Sequence, residues 1–150
     1  VDETRPLLQG ARLTAWELQQ MGVPYRVIAD GAAASIIARG LVDVAVVGAD
    51  RITANGDVVN KIGTYPLALA CARSGVPMMV AAPESTRDAK TATGADVHIE
   101  ERAGVEVLFA AGVQVTPDGA RASNPAFDVT PVDLVTVTIT ETGAHEGAPR

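Results

Sequence analysis

A short stretch in the middle of the chain sets the chemical problem. Within VAVVGADRITANGDVVNKIGT, Val44 to Thr64, an apolar run halts at Gly48 and delivers Asp50 to a loop, and further on Asn60 and Lys61 precede Gly63 and Thr64. A carboxylate directly behind a buried strand stands at the rim of a low-dielectric wall, where desolvation raises its pKa. Such a group can hold or deliver a proton near neutral pH, as a general acid or base must. The alternative is that Asp50 caps a turn through its side chain. Asn60 and Lys61 bring an amide and an ammonium to what reads as a helix entrance, with the N–H groups of Gly63 and Thr64 reachable, an arrangement that favours an anion such as a phosphate. The same two residues also read as a solvated lysine beside a turn asparagine. Thr53 to Asp57, with Asn55-Gly56 at its centre, is most simply a turn.

Other polar groups are less specific. Gln9, at the start of a first helix, offers an amide to a hydroxyl or phosphate, or is a surface glutamine of the first turn; Asp30 either lines the same crevice or caps the helix after it. Cys71 falls on the apolar side of a helix and reads as core. His98 and His145 have no partners at metal-ligand spacing, so no metal or cofactor is expected. No GxGxxG follows a strand and no GxxxxGK[ST] is present, which removes the ordinary dinucleotide and P-loop readings.

Elements must position these groups, and the composition says of what kind. At 150 residues the chain fits one domain that buries roughly two thirds of its unfolded surface. Apolar residues make up 47% but aromatics only 3%, so the core is built from Ala, Val, Leu and Ile, the usual filling between helices and a buried parallel sheet. A net charge of -6 argues against a nucleic-acid partner, since phosphate backbones need a basic footprint. The lone cysteine suits a reducing, cytoplasmic setting, and no apolar run approaches the roughly 18 to 20 residues of a membrane span.

Periodicity and punctuation predict a helix over Leu7 to Met21 stopped by Gly22, a strand Pro24 to Ala29, a helix Ala32 to Arg39, and a strand Asp43 to Val47. A helix Ile62 to Ser74 stopped by Gly75 and a strand Val76 to Ala82 follow. Asp96 to Arg102 and Val105 to Phe109 read as short extended pieces, Asn124 to Asp128 as a loop or edge strand. Thr130-Pro131 resembles an N-cap and first helical position, which makes Val132 to Thr140 a helix, although its Val and Thr content also permits a strand. Thr142 to Arg150 reads as a fraying tail, and Val1 to Thr4 as the end of a strand whose earlier residues lie outside the chain. Strands alternating with helices imply a single Rossmann-like α/β domain, a mostly parallel sheet with helices on both faces. Its ligands belong beyond the carboxyl ends of the strands, where Glu3-Thr4-Arg5, Asp30-Gly31 and Gly48-Ala49-Asp50 converge.

Four blocks carry a resemblance: ETRPLLQGARLTAWEL (Glu3 to Leu18), VVGADRITANGDVVNKIGTYPLALA (Val46 to Ala70), APESTRDAKTATGADVHIEER (Ala82 to Arg102) and NPAFDVTP (Asn124 to Pro131). Together they resemble the C-terminal domain of the S-methyl-5-thioribose-1-phosphate isomerases, over nearly the whole chain and in the same order. The superfamily also holds ribose-1,5-bisphosphate isomerases and the regulatory subunits of the translation-initiation exchange factor, which share the GAD and NKIGT segments; the arginine after Asp50, STRD, IEER and NPAFDVTP are more typical of the methylthioribose enzymes and of methionine salvage. The resemblance implies conversion of 5-methylthioribose 1-phosphate to 5-methylthioribulose 1-phosphate, with Asp50 as proton donor and Gln9, Asn60 and Lys61 binding the sugar phosphate. It also implies a homodimer. The family's catalytic cysteine and phosphate-clamping arginines come from segments before the equivalent of Val1, and Cys71 is not at the matching position. The expectation is therefore a C-terminal part with little or no activity alone; the alternative is a non-catalytic binding or assembly module like the exchange-factor subunits.

Overall fold

The structure, a computed structural model, describes residues 1–147. In chain order a π-helical turn Gly10–Thr14 runs into α1 (Ala15–Gln20), and α2 (Ala33–Ala38) precedes β1 (Ala45–Val47). Next come β2 (Arg51–Thr53), β3 (Val58–Lys61), α3 (Thr64–Ser74), β4 (Met78–Ala81) and β5 (Arg87–Asp88). The chain continues through α4 (Val105–Leu108), β6 (Phe109–Ala110), β7 (Val113–Gln114), β8 (Phe127–Thr130), β9 (Val137–Thr140) and β10 (Gly143–Glu146). These fall into two compact units, one of Val1–Ala33 with Glu101–Pro125, the other of Ala34–Glu100 with Ala126–Arg150.

In the second unit β1, β4 and β9 pair in parallel, and β10 adds an antiparallel edge. The apolar run before Gly48 and the MMVA run after Gly75 become neighbours because each is too hydrophobic to lie anywhere but in a covered sheet. Ala45, Val76 and Met78 pack with Ile37 of α2 and with Ala68 and Cys71 of α3. Thr64, Ala68 and Cys71 are the buried positions of α3, spaced as one helical face requires. Cys71 is fully buried, as its position on that face predicts. Gly75 ends α3 at φ +69°, a left-handed C-cap that a side chain disfavours, and Val76 N–H bonds back to the Cys71 carbonyl at 3.0 Å.

A second sheet in the order β5-β2-β3-β8 was not visible in the periodicity. Its strands are only two to four residues long, too short to show an alternation. β2 and β3 form the hairpin around the Asn55-Gly56 turn, with Gly56 at φ +91°. Asp57, just past that turn, accepts hydrogen bonds from Asn55 Nδ2 at 2.9 Å, Gly94 N–H at 3.0 Å and Val132 N–H at 3.0 Å, tying three separate segments together. Burial works to raise its pKa, but the Asn55, Gly94 and Val132 donors outweigh that and hold it below the ordinary value. Gly94 admits no side chain there, because a Cβ would meet Val129 Cγ1 at 2.2 Å.

Several expectations change. Val132 to Thr140 is no helix: Val132–Leu134 is a single 3-10 turn and Val137–Thr140 is β9, the outcome that β-branched side chains favour once a parallel partner, β4, is available. Val105–Leu108 is a helical turn rather than extended. Pro24 to Ala29 makes one parallel bridge, Asp2 to Ile28, in place of a full strand. Gly143–Glu146 of the tail expected to fray pairs with β9 as β10, and residues 148–150 lie outside the described residues.

In the first unit the Asp30 side chain does not cap the helix after it. Its carboxylate accepts the N–H groups of Thr4 at 2.8 Å and Arg5 at 2.7 Å, pinning the end of the first extended segment. The segment after it is contorted, with Thr4 at φ 63° and Leu8 at φ 60°, positions that cost non-glycine residues about 1 kcal/mol or more each.

Candidate functional site

The sequence candidates divide between the two units: Gln9 belongs to the first, Asp50, Asn60 and Lys61 to the second. Gln9 immediately precedes the π-helical turn, directly after the positive-φ Leu8. Gly10 beside it has no room for a Cβ, which would fall 1.9 Å from the Asp2 carbonyl oxygen. Gln9 Oε1 is buried and has no donor among the described residues. A buried acceptor left unmet costs about 1–3 kcal/mol, and single π-helical turns and strained backbone concentrate at functional positions. Both observations favour a ligand-binding amide over a first-turn surface glutamine.

The hairpin sets Asp50 beside Asn60, with Lys61 next along the strand. Asp50 directly precedes β2, and its N–H donates to the Val59 carbonyl at 2.9 Å. Since Arg51 pairs with Val59, continuing the antiparallel register sets Asp50 beside Asn60. On the other side β8 pairs Asn60 with Asp128 and Lys61 with Phe127. Asp50, Asn60 and Asp128 thus form a row across the sheet, and cross-strand partners share a face.

The geometry corrects the sequence picture in three ways. First, Asp50 is exposed, not lodged against the apolar wall expected of it, because the chain turns away at Gly48 before the strand can enclose the carboxylate. Second, Asn60 and Lys61 end a strand, and α3 starts only at Thr64. As consecutive strand residues they leave toward opposite faces. Lys61 sets its ammonium 4.9 Å from the centre of the Phe127 ring, a cation–π contact, whereas Asn60 Nδ2 donates to Thr64 Oγ1 at 2.9 Å. Third, the helix entrance is already partly occupied. Asp128 already accepts the N–H groups of Gly63 at 2.8 Å and Tyr65 at 3.1 Å. Gly63 itself sits at φ 108° and can offer no capping side chain, so the cap comes from a distant strand. Burial pushes the Asp128 carboxyl above its ordinary value, against the Gly63 and Tyr65 donors that pull it down.

Arg51, the next residue after Asp50, pairs with Asp88 across the β2–β5 edge, where Thr91 Oγ1 also donates to Asp88 at 2.7 Å. The Thr91 hydroxyl first, then the Lys90 N–H and the Arg51 charge, hold Asp88 below the ordinary value. His98 and His145 are exposed, and among the described residues no His, Cys, Asp and Glu cluster could hold a metal. No helix among the described residues is long and apolar enough to cross a membrane.

Sequence reasoning did not single out Asp128, and it named Thr64 for its N–H and not for its hydroxyl. Asp128 reaches Gly63 across 65 residues of chain, a separation without a local signature. Thr64 had one, as the first hydroxyl after an NKIG segment, but spacing does not say which way a hydroxyl points.

Residues 1–147 match the model of the Initiation factor 2 subunit family. A methylthioribose-1-phosphate isomerase of Chloroflexus aurantiacus is 60% identical over 143 residues, 95% of this chain and 41% of that protein. A probable bifunctional methylthioribose-1-phosphate isomerase/methylthioribulose-1-phosphate dehydratase of Nocardia farcinica is 60% identical over 98% of this chain and 27% of its own length. Among solved structures, the 5-methylthioribose 1-phosphate isomerase of Pyrococcus horikoshii superposes with a TM-score of 0.95 at 49% identity, over 97% of this chain and 41% of the other. The delta subunit of translation initiation factor eIF-2B from A. fulgidus superposes at 0.92 with 44% identity, over 96% of this chain and 42% of the other. The chain spans less than half the length of each of these relatives.

Proposed function

The chain belongs to the Initiation factor 2 subunit family, and we propose that it supplies the C-terminal part of a methylthioribose-1-phosphate isomerase. The observation that carries this reading is the row Asp50, Asn60, Asp128 with Lys61 beside it, in a chain 60% identical to the Chloroflexus isomerase. In this reading the sheet of β1, β4, β9 and β10 with its helices is the Rossmann-like core, and residues 1–147 act as one functional domain that pairs as a homodimer in the cytoplasm.

The chemistry assigns each group. In an aldose 1-phosphate the anomeric oxygen carries the phosphate, so the ring does not open as a free hemiacetal does. An acid that protonates the ring oxygen lets the ring open; the hydrogen at C2 then passes to C1 while the C2 hydroxyl gives up its proton, which balances the one delivered, and C1 and C2 exchange oxidation levels with no external oxidant. Asp50 is that acid. Its exposure in this chain leaves the carboxylate accessible to a substrate on the strand-end face. Lys61 has no carboxylate within ion-pairing distance among the described residues and takes the phosphate. Asn60 takes a hydroxyl, and in the first unit Gln9, with its unmet Oε1, is a separate candidate for one.

The test is turnover of 5-methylthioribose 1-phosphate by the chain completed with the N-terminal part that the family resemblance calls for. The completed protein should isomerise the substrate, and Asp50→Asn should lower kcat by about 10²–10⁴-fold with an unchanged melting temperature. Full activity in Asp50→Asn rejects the assignment. The second reading, an assembly module without catalysis, rests on the likeness to the eIF-2B delta subunit; a completed protein that binds no sugar phosphate at millimolar concentration favours it.

A further inference from the structure

We infer that Thr64 is a positioning residue that locks the Asn60 amide so that its carbonyl oxygen, not its NH2, meets the sugar, which makes Asn60 a reader of a substrate hydroxyl and leaves the phosphate to Lys61. The inference rests on the sugar-phosphate reading of the site and adds which group recognises which part of the ligand.

The argument is one of donors and acceptors. Thr64 is buried, 5% exposed, and its hydroxyl lies 2.8 Å from the Lys61 carbonyl oxygen. A carbonyl cannot donate, so the single hydroxyl proton of Thr64 is spent there. Its oxygen can then only accept from Asn60, 2.9 Å away, and only the amide nitrogen can donate. The alternative orientation would face two acceptors across that distance. The amide is therefore fixed with Oδ1 turned the other way, toward the Gly48 to Asp50 loop, where a Cβ on Gly48 would come within 4.0 Å of it. The absence of a side chain at Gly48 keeps that space open. No described residue donates to Asn60 Oδ1.

An outward-facing carbonyl oxygen repels a phosphate dianion and accepts from a hydroxyl. Lys61, leaving the strand on the opposite face, carries the only positive charge of the pair. Asp128 completes the frame, because its bonds to Gly63 and Tyr65 N–H hold the turn that connects Lys61 to Thr64. A site built to hydrogen-bond a hydroxyl discriminates against ligands that lack one far more strongly than an apolar contact does.

The experiment measures, by calorimetry on the chain completed with the N-terminal part, the affinity for 5-methylthioribose 1-phosphate and for inorganic phosphate in wild type, Thr64→Val and Thr64→Ser. The expected result is that Thr64→Val weakens the sugar phosphate about tenfold, the effect of one misaligned hydrogen bond, and leaves inorganic phosphate unchanged, while Thr64→Ser behaves as wild type. Thr64→Ala stands in should the valine variant fold poorly. In wild type one Asn60 side-chain amide proton should also exchange slowly by NMR, and this protection should vanish in Thr64→Val and persist in Thr64→Ser. Equal loss for both ligands, no loss for either, or an unprotected Asn60 amide in wild type overturns the role of Thr64. A completed wild-type protein that binds neither ligand overturns the sugar-phosphate reading itself, and with it this inference, while the amide protection still reports whether the lock exists.

Discussion

Two aspartates in the same sheet do outwardly similar work with opposite electrostatic results. Asp57, beyond the β2–β3 turn, accepts from Gly94 and Val132 N–H and from the Asn55 amide. Asp128, on β8, accepts from Gly63 and Tyr65 N–H alone. Both are partly buried, yet Asp57 is held below the ordinary carboxylate value and Asp128 is pushed above it. The third donor and the lesser burial tip the balance at Asp57 toward the charged form; at Asp128 burial wins. The comparison separates a fastening, where charge is welcome, from a helix cap, where the molecule tolerates a reluctant charge to hold a helix entrance in place.

The largest expected difference comes from deleting the two side chains. Asp57→Ala removes three acceptor contacts that join the hairpin to two loops and should destabilise the fold by about 2–3 kcal/mol, seen as a lower urea midpoint at an unchanged slope. Asp128→Ala removes two contacts and a disfavoured charge, and should cost only about 1 kcal/mol. Equal losses would break the distinction between fastening and cap.

A smaller contrast sharpens it through pH. Asp57 has a depressed folded pKa, so its contribution is present above the unfolded value near 3.8 and fades as pH falls through the lower folded value. Asp128 has a raised folded pKa, so its linked contribution is fullest below 3.8 and fades as pH rises through the higher folded value. The stability penalty of Asp57→Ala should therefore shrink on acidification, and that of Asp128→Ala should grow. Urea midpoints from pH 6 to about pH 3 read the two slopes, and slopes of the same sign would refute the assignment.

Much of the architecture was legible where the signal is local. The helix Thr64–Ser74, its stop at Gly75 and the buried Cys71 follow from a 3.6-residue apolar period and a glycine that tolerates positive φ. The Asn55-Gly56 turn likewise announces itself. Asp50, Asn60 and Lys61 were recognisable as candidates by type and position, and the register of the hairpin brings them to one strand end. By contrast, Val132 to Thr140 was misread as a helix because a Thr-Pro start looks alike in a helix and in a 3-10 turn, and only the neighbour β4 decides for a strand.

The sequence by itself determined which residues bury, where helices stop and which polar side chains are available for chemistry, because those properties depend on residue type and near neighbours. Tertiary structure alone decided orientation and exposure. It put Asp128 on the Gly63 N–H, one of the two that spacing had left for a phosphate, left Asp50 exposed, sent Asn60 and Lys61 to opposite faces, and spent the Thr64 hydroxyl on a backbone carbonyl. Each of those outcomes depends on a hydrogen-bond partner or strand neighbour that folding supplies, and a hydrogen bond's direction is fixed only when both partners are in place.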